Sequence, residues 1–493
     1  MKVLWFSVTP LSLHAEENTG IEGKGWISSL LQIALGIKDL ELVVVYGNQS
    51  PFKKEVEETE RLKIIPINIC RYGKRQIIKD MMTYSEVDDF VISESLRIIQ
   101  ENKPDLIHVF GAEWCYGMLA SHVTIPVVIH IQGLWSQIRN SLLLPGQSSL
   151  FDRFKPELWN HPLGFFARYQ YYNLSKERHR REEEILRCNK YFMCRTRWDQ
   201  SVVRFYNKNA RIFHVDEALR QEFIECKERW RGGAEERPFR PPQPLLTQEG
   251  KRIVLVTTGA CYSIKGPDVV LKTAKLIQEN TDYQVEWKWI GGTDEDIKEF
   301  EKLTKVKAQE VGVRMLGTLS ATEMISELLA ADMYVHTSYS DNSPNAVCEA
   351  QYLGMPVIAT DTGGVVSLFS EQYDKDMIVP MNDPFYLASK IIELREDDAK
   401  AKILADDNWT VAHQRHDAER IRKQLMECYD VLRRSQETGV RRQESGVRRQ
   451  ESGDRSQESG VRSQETGNRS QESGVRSQET GVRREGGKRN ESC

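Results

Sequence analysis

Twice along this chain, short apolar runs alternate with amphipathic helical stretches, and a proline-rich segment separates the two series. The first series places strands at Val3–Val8, Leu42–Tyr46, Lys63–Ile67, Leu106–Phe110, Val127–Ile131 and Tyr191–Cys194, with helices such as Trp26–Leu35 and Val87–Gln100 between them. The second places strands at Ile253–Thr257, Val285–Ile290, Val313–Leu316, Met333–His336, Val357–Ala359 and Met377–Val379. Its helices fall at Pro267–Ile277, Asp294–Ala308, Thr322–Leu329 and Asp383–Leu394. Strands that are apolar throughout and joined by helices are those of a parallel sheet covered on both faces. Such sheets bind ligands outside the carboxyl ends of their strands. The expected architecture is therefore α/β, with two doubly wound domains facing a cleft. The first domain spans residues 1–235, the linker 236–250 contains the proline-rich Arg237–Leu246, and the second domain spans 251–410. A helix over Ala412–Leu432, with Ile421, Leu425, Cys428 and Leu432 on one stripe, closes the folded part at 411–432.

Composition narrows the function. The net charge of −4 gives no bulk attraction to nucleic acid. No apolar run approaches the roughly 20 residues of a membrane-spanning helix. The opening MKVLWFSVTP reads as a first strand, because its apolar run is too short for a leader and Pro10 follows it. Nine scattered cysteines without a C-x-x-C pair fit reduced thiols in the cytoplasm. From Arg434 the chain becomes a seven-residue repeat, RSQETGV and variants, in seven copies ending at Val482. Each unit offers at most one apolar residue and a glycine, so no coiled-coil seam exists, and disorder is expected over 433–493. The aromatic and basic stretch Ser141–Arg181 interrupts the first series. It reads as an excursion packed on its domain, with contact to a lipid surface or a carbohydrate acceptor as the second reading.

The chemistry concentrates in VHTSYSDNSPNAVCEAQYLGMPVIATDTGG, Val335–Gly364. Ser343 is read as a helix cap and Pro344 as its first-turn residue, with the helix running to about Leu353 and ending at Gly354. Asp341 stands in the loop before this helix and Glu349 inside it. The free N–H groups of Asn345, Ala346 and Val347 can hold an anion between them. A phosphate held by backbone, with acids beside it to grip hydroxyls, suits a sugar nucleotide. Three further pieces fit that ligand. The loop ENTGIEGKGW carries Gly20, Gly23 and Gly25 between the first strand and its helix, allowing close backbone approach. His108 and His130 stand at or near strand ends. Lys265, in GACYSIKG, precedes the helix at Pro267, where a cation can neutralise a departing diphosphate. Asp294–Glu295–Asp296 has the form of a metal-binding D-x-D, but it follows Thr293 at a helix start, where acids favour the helix dipole, and no metal is expected there.

Over residues 1–432 these pieces resemble the glycosyltransferases of family 4, which have the two-domain GT-B fold with two Rossmann-like domains. The resemblance is strongest at Lys265–Gly266 and Asp341–Gly364. It implies that Glu349 binds the nucleotide ribose, Asp341 the transferred sugar, and Asn345–Val347 the diphosphate. Lys265 then matches the phosphate-binding lysine, the Gly20 loop the glycine-rich donor and acceptor loop, His130 the strand-end histidine near the sugar, and Gly317 the base-binding turn. The last helix is implied to cross back onto the first domain. Two positions depart from the pattern: the first acid, usually Glu, is Asp341, and the Arg that usually precedes the lysine is replaced by Gly259 and Ala260. The implied reaction moves a sugar, with retention of configuration, from a UDP-, GDP- or ADP-sugar to a hydroxyl of a glycan or lipid-linked acceptor. The implied setting is bacterial surface polysaccharide assembly, with peripheral contact to the inner membrane and no metal or other cofactor. Two other readings stay open: a sugar-nucleotide epimerase of the same fold, and a non-catalytic relative that binds glycan or partners.

Overall fold

The computed structural model describes residues 1–10, 25–48, 54–69, 85–141, 175–230 and 252–436. Gly20, Gly23, the expected linker, most of the aromatic-basic excursion and nearly all of the repeat lie outside these residues. The chain divides into two units, Met1–Leu432 and Arg433–Cys493. The second is described only over 433–436, which are helical.

The first unit holds two sheets. The N-terminal sheet contains β1 (Lys2–Ser7), β2 (Glu41–Asn48), β3 (Glu57–Glu58), β4 (Leu62–Asn68), β5 (Leu106–Phe110), β6 (Val127–His130), β7 (Tyr191–Cys194) and β8 (Arg211–His214), in the order β3-β4-β2-β1-β5-β6-β7-β8. Its pairs are parallel except the short antiparallel edge β3–β4. The C-terminal sheet contains β9 (Arg252–Thr258), β10 (Gln284–Ile290), β11 (Val313–Met315), β12 (Met333–His336), β13 (Val357–Thr360) and β14 (Ile378–Val379), in the order β11-β10-β9-β12-β13-β14, all parallel. These are two Rossmann-like halves facing each other.

Alternation along β1 shows why its sequence is apolar throughout. Val3 and Trp5 join one core, with Leu30 of the Trp26–Leu35 helix, while Leu4 and Phe6 join the core on the opposite face, with Val91 and Ile98 of the Ser85–Asn102 helix. Each burial of this kind stabilises the fold by about 1.5–3 kcal/mol.

The end of the unit departs from the expected single helix over 412–432. One helix, Asp398–Arg415, stops at His416, and a second begins at 418. The break has two causes. The His416 ring is held by the Glu217 carbonyl at 2.8 Å, and Asp417 caps the new helix by accepting from Arg420 N at 2.8 Å. Ile421, Leu425, Cys428, Tyr429 and Leu432 of the second helix are buried in the core on the Trp5 side of the N-terminal sheet. In the other direction, Leu219 and Phe223 pack into the C-terminal core. The chain thus passes between the lobes twice, once near 219 and once near 416.

Strand order sets where ligands can go. Neighbouring strands whose connections leave to opposite sides open a crevice at their carboxyl ends. In the C-terminal sheet these are β9 and β12, and in the N-terminal sheet β1 and β5. The loop after β9 carries Lys265; the loop after β12 carries Asp341.

Candidate active site

Lys265 closes a single 3-10 turn, Ser263–Lys265, and Gly266 follows with φ of +73°. A Cβ on Gly266 would lie 2.1 Å from the Thr337 carbonyl oxygen, so only glycine lets the two crevice loops approach this closely. Thr337 Oγ1 donates to the Lys265 carbonyl at 2.8 Å, and Tyr339 N to the Ile264 carbonyl at 2.7 Å, zipping the loops together. The result is contact between the predicted residues: Lys265 Nζ donates to Asp341 Oδ2 at 2.6 Å. His336, the last residue of β12, donates from Nε2 to the same oxygen at 3.1 Å, and its Nδ1 faces Thr360 Oγ1 at 3.3 Å. Burial works against the charge on Asp341, but the Lys265 ammonium and these hydrogen bonds outweigh it and hold the carboxyl well below its ordinary value.

The helix expected to start at Ser343 runs Asn345–Tyr352, with Pro344 at its cap position and no side-chain cap. Ser343 Oγ turns away and donates to the buried Glu217 carboxylate. The first-turn N–H groups of Asn345 and Ala346 therefore take no side-chain cap, and Val347 N bonds only to the Pro344 carbonyl at 3.0 Å. Gly354 follows the helix with φ of +71°, as its role as a stop requires.

Glu349 lies inside this helix and is buried. Arg220, entering from the first lobe crossing, binds it in a fork: Nε to Oε1 at 2.7 Å and Nη2 to Oε2 at 2.8 Å. Burial pushes the Glu349 carboxyl up, and Arg220 pulls it back. Tyr334 of β12 feels the charge of both acids. Burial raises its phenol first, and the charges of Asp341 and Glu349 add to the rise. Its hydroxyl meets Thr258 at the end of β9 at 3.2 Å. Lys265, Asp341 and Glu349 thus belong to one region at the C-terminal switch point. Gly317, with φ of +68°, bonds the Gly291–Gly292 turn in both directions at 2.7 and 3.0 Å beside the same sheet edge, and the space where its Cβ would stand is open.

The opposite lobe contributes neutral groups. His130 ends β6, and Gly25 begins the Trp26–Leu35 helix. His108 stands mid-strand in β5, behind His130, with His108 Nε2 and His130 Nδ1 3.2 Å apart. Burial lowers both rings, His108 to about 3, and the neighbouring His108 and Arg195 add to the fall of His130. The lobes meet through Asn342. Its Nδ2 donates to the Gln132 carbonyl and to Asp199 Oδ2, each at 3.1 Å, and its Oδ1 accepts from Thr196 Oγ1 at 2.8 Å.

Asp296 completes a capping box with Thr293, so this part of the D-x-D run serves its helix. Among the described residues, Glu217, Cys348 and His416 alone place ligating atoms close enough for a metal, within 4.8 Å of one another. Arg415 lies 3.6 Å from the Glu217 carboxylate, which also accepts from Cys348 Sγ at 2.9 Å. The negative charge there is already matched by an arginine, and burial keeps the Cys348 thiol protonated. This arrangement ties the lobe crossings to the Asn345 helix.

Sequence reading did not single out Arg220, His336, Asn342 or Tyr334. Only His336, ending a predicted strand beside Asp341, carried a local signal.

Solved structures share this GT-B architecture. Sucrose-phosphate synthase from Thermosynechococcus elongatus superposes with a TM-score of 0.63 at 17% identity, covering 87% of this chain and 98% of that one. HepE of Anabaena, solved in complex with UDP-glucose, gives 0.55 at 16% identity, covering 87% and 100%. The fold thus defines the class, a two-lobed GT-B protein. Residues 243–408 match the family model of glycosyl transferases group 1. A D-inositol 3-phosphate glycosyltransferase of Corynebacterium urealyticum is 27% identical over 301 residues, 57% of this chain and 69% of the relative. The putative teichuronic acid biosynthesis glycosyltransferase TuaC of Bacillus subtilis is 34% identical over 105 residues, 21% of this chain and about a quarter of the relative, 26%. The chain is a glycosyltransferase, of the hexosyltransferase class.

Proposed function

We propose that this protein is a retaining glycosyltransferase of family 4 that moves a hexose from a nucleoside-diphosphate sugar to a hydroxyl of a glycan or lipid-linked acceptor. The observation that carries this reading is the Lys265–Asp341 ion pair at the β9–β12 switch point, beside a helix start without a side-chain cap. In the reaction, the anionic diphosphate draws Lys265 from Asp341 and rests on the N–H groups of Asn345 and Ala346, with Val347 N joining them only by leaving the Pro344 carbonyl. Freed from the ammonium, Asp341 accepts hydroxyls of the transferred sugar. Glu349 exchanges one arm of the Arg220 fork for the ribose hydroxyls. Lys265 and the helix start then stabilise charge as the diphosphate leaves, which is positioning and electrostatics more than proton transfer. Arg220, paired with Glu349, would supply positive charge beside the ribose. The base-binding turn is assigned to Gly317, the donor and acceptor loop to Gly20, Gly23 and Gly25, and the sugar-side histidine to His130, with His108 behind it.

A UDP-sugar heads the donor candidates, because the structural neighbour HepE was solved with UDP-glucose. The relatives divide between a D-inositol 3-phosphate glycosyltransferase and a putative teichuronic acid biosynthesis glycosyltransferase, so they leave the acceptor open. The proposed setting is surface polysaccharide synthesis in the cytoplasm. The seven described cysteines are all free thiols, in keeping with a reducing compartment. No described helix is long and apolar enough to cross a membrane.

Thermal shift with UDP-, GDP- and ADP-sugars tests the assignment. One class stabilises the protein, by about 2.7 kcal/mol at a hundred times its Kd, and Glu349→Ala removes most of that shift. Equal shifts in the two proteins overturn the ribose role. Proton NMR of the product then reads the anomeric configuration, and inversion overturns retention.

A further inference from the structure

Four side chains from three distant parts of the chain form a buried line behind the strand-end histidine. Trp5 Nε1 meets Tyr429 Oη at 2.8 Å, Tyr429 Oη meets His108 Nδ1 at 2.7 Å, and His108 Nε2 meets His130 Nδ1 at 3.2 Å. Trp5 and His108 lie opposite each other on the paired strands β1 and β5, and Tyr429 reaches them from the helix that packs on this sheet. Trp5, His108, His130 and Tyr429 are each fully buried.

We propose that this line runs in one direction only and fixes His130 as the tautomer with its proton on Nε2, so that the ring meets its ligand as a hydrogen-bond donor. The reasoning starts at Trp5. An indole N–H can only donate, so Tyr429 Oη must accept from it. The Tyr429 proton then has one remaining partner, His108 Nδ1, which must be the bare nitrogen. Both imidazoles are buried and neutral, as their lowered pKa values require. His108 therefore carries its proton on Nε2 and donates to His130 Nδ1. His130 in turn carries its proton on Nε2. The reverse orientation leaves the Tyr429 O–H buried and unpaired, which disfavours it by about 5- to 150-fold.

His130 Nε2 is the open end of the line. It is buried and has no hydrogen-bond partner at normal geometry, although the Val215 carbonyl lies beside the ring. The charged groups acting on the ring are Arg195 and Glu217, of opposite sign. Arg195 also covers the Trp26 ring at 4.9 Å, and Trp26 stands edge-on to His130 at 5.1 Å. A fixed N–H in this place suits an oxygen acceptor, and a sugar hydroxyl would take it over from the Val215 carbonyl. It does not suit removal of a proton, because the only bare nitrogen of His130 is already engaged by His108. Trp5, Tyr429 and His108 are then positioning residues that act through His130. Their effect on catalysis rests on the placement of His130 at the sugar proposed above; the tautomer itself does not.

Nitrogen-15 NMR of the full chain, labelled in its 10 histidines, reads the tautomer directly. His130→Gln and His108→Gln difference spectra assign the two rings. The expected result is a protonated-type shift at His130 Nε2 and an unprotonated-type shift at Nδ1. A proton on Nδ1, or a mixture of both forms, in the wild-type protein overturns the proposal. Tyr429→Phe removes the relay, and His130 should then show both tautomers, with kcat down severalfold and KM for the donor unchanged. An unaltered His130 spectrum in folded Tyr429→Phe also overturns it. If that variant does not fold, the wild-type spectrum decides alone. A correct tautomer with kcat unmoved in folded Tyr429→Phe leaves the relay standing and counts against His130 at the sugar.

Discussion

The two switch points solve one geometric problem with opposite chemistry. At the β9–β12 crevice the side chains are charged and paired across loops: Lys265 with Asp341, Arg220 with Glu349. Around the β1–β5 crevice of the other sheet, with β6 beside it, they are neutral and aromatic: His108, His130, Trp26, Phe110 and Tyr429 stack or meet edge-on. On the proposed reading, the difference follows from what each pole would hold. A diphosphate brings charge, so the pole receiving it needs cations that are kept in place by acids until the ligand arrives. A sugar brings neutral hydroxyls, and a low-dielectric wall with oriented N–H groups holds them without competing for the phosphate.

The contrast can be broken most sharply at Arg220. Arg220→Met leaves Glu349 buried without its fork, and removing one partner of such a pair costs about 3–5 kcal/mol. Urea unfolding of the variant should show this loss, and adding Glu349→Gln should restore much of it. A loss below about 1 kcal/mol would mean that the pair is not buried in solution. Next in size is Lys265→Met, which should lower kcat by about 10²–10³-fold, the range for removing one preorganised charge-stabilising group, and should also lower the melting temperature, because Asp341 loses the ammonium that offsets its burial. Comparable kcat values for variant and wild type would remove Lys265 from the leaving-group role.

The smallest effect separates the poles by pH. His108 falls from 6.5 to about 3 on folding, so its folded form binds protons less tightly than the unfolded chain. That stability is complete above about pH 6.5 and is lost as pH falls towards 3. Each pH unit costs up to about 1.4 kcal/mol, or about 2 kcal/mol between pH 6.5 and 5. Asp341 is also depressed, but from 3.8, so its contribution is lost only below about pH 4. Comparing wild type with His108→Gln at pH 7 and pH 5 isolates the neutral pole: the variant should lose less stability than wild type over that interval. Parallel losses would show that His108 does not set the acid side.

The charged pole was largely legible in the sequence because it is local. Lys265 and Asp341 each follow a strand with strong apolar character, and Glu349 sits one helix turn into a segment bounded by Pro344 and Gly354. The groups that complete the two poles were not legible. Arg220 reaches Glu349 across 129 residues, and Tyr429 reaches His108 across 321. No period or spacing announces partners so far apart. Ser343 failed as a cap for the same reason, since Glu217 lies in the first lobe crossing, 126 residues away, and draws its hydroxyl away. The helix break at His416 was hidden because the side chains at 412, 421 and 425 are all buried, so burial continues across it, while the cause of the break is a ring held by a distant carbonyl.

The partnership of Trp5 with Tyr429 spans 424 positions and has a consequence for synthesis. During translation the amino-terminal sheet leaves the ribosome first, yet one of its two apolar faces waits for the helix beginning at 418. The carboxyl-terminal sheet, contiguous between 252 and 379, has its strands in hand much earlier. The half made first is therefore completed last, and its exposed face is what a nascent-chain chaperone would shield until Tyr429 arrives.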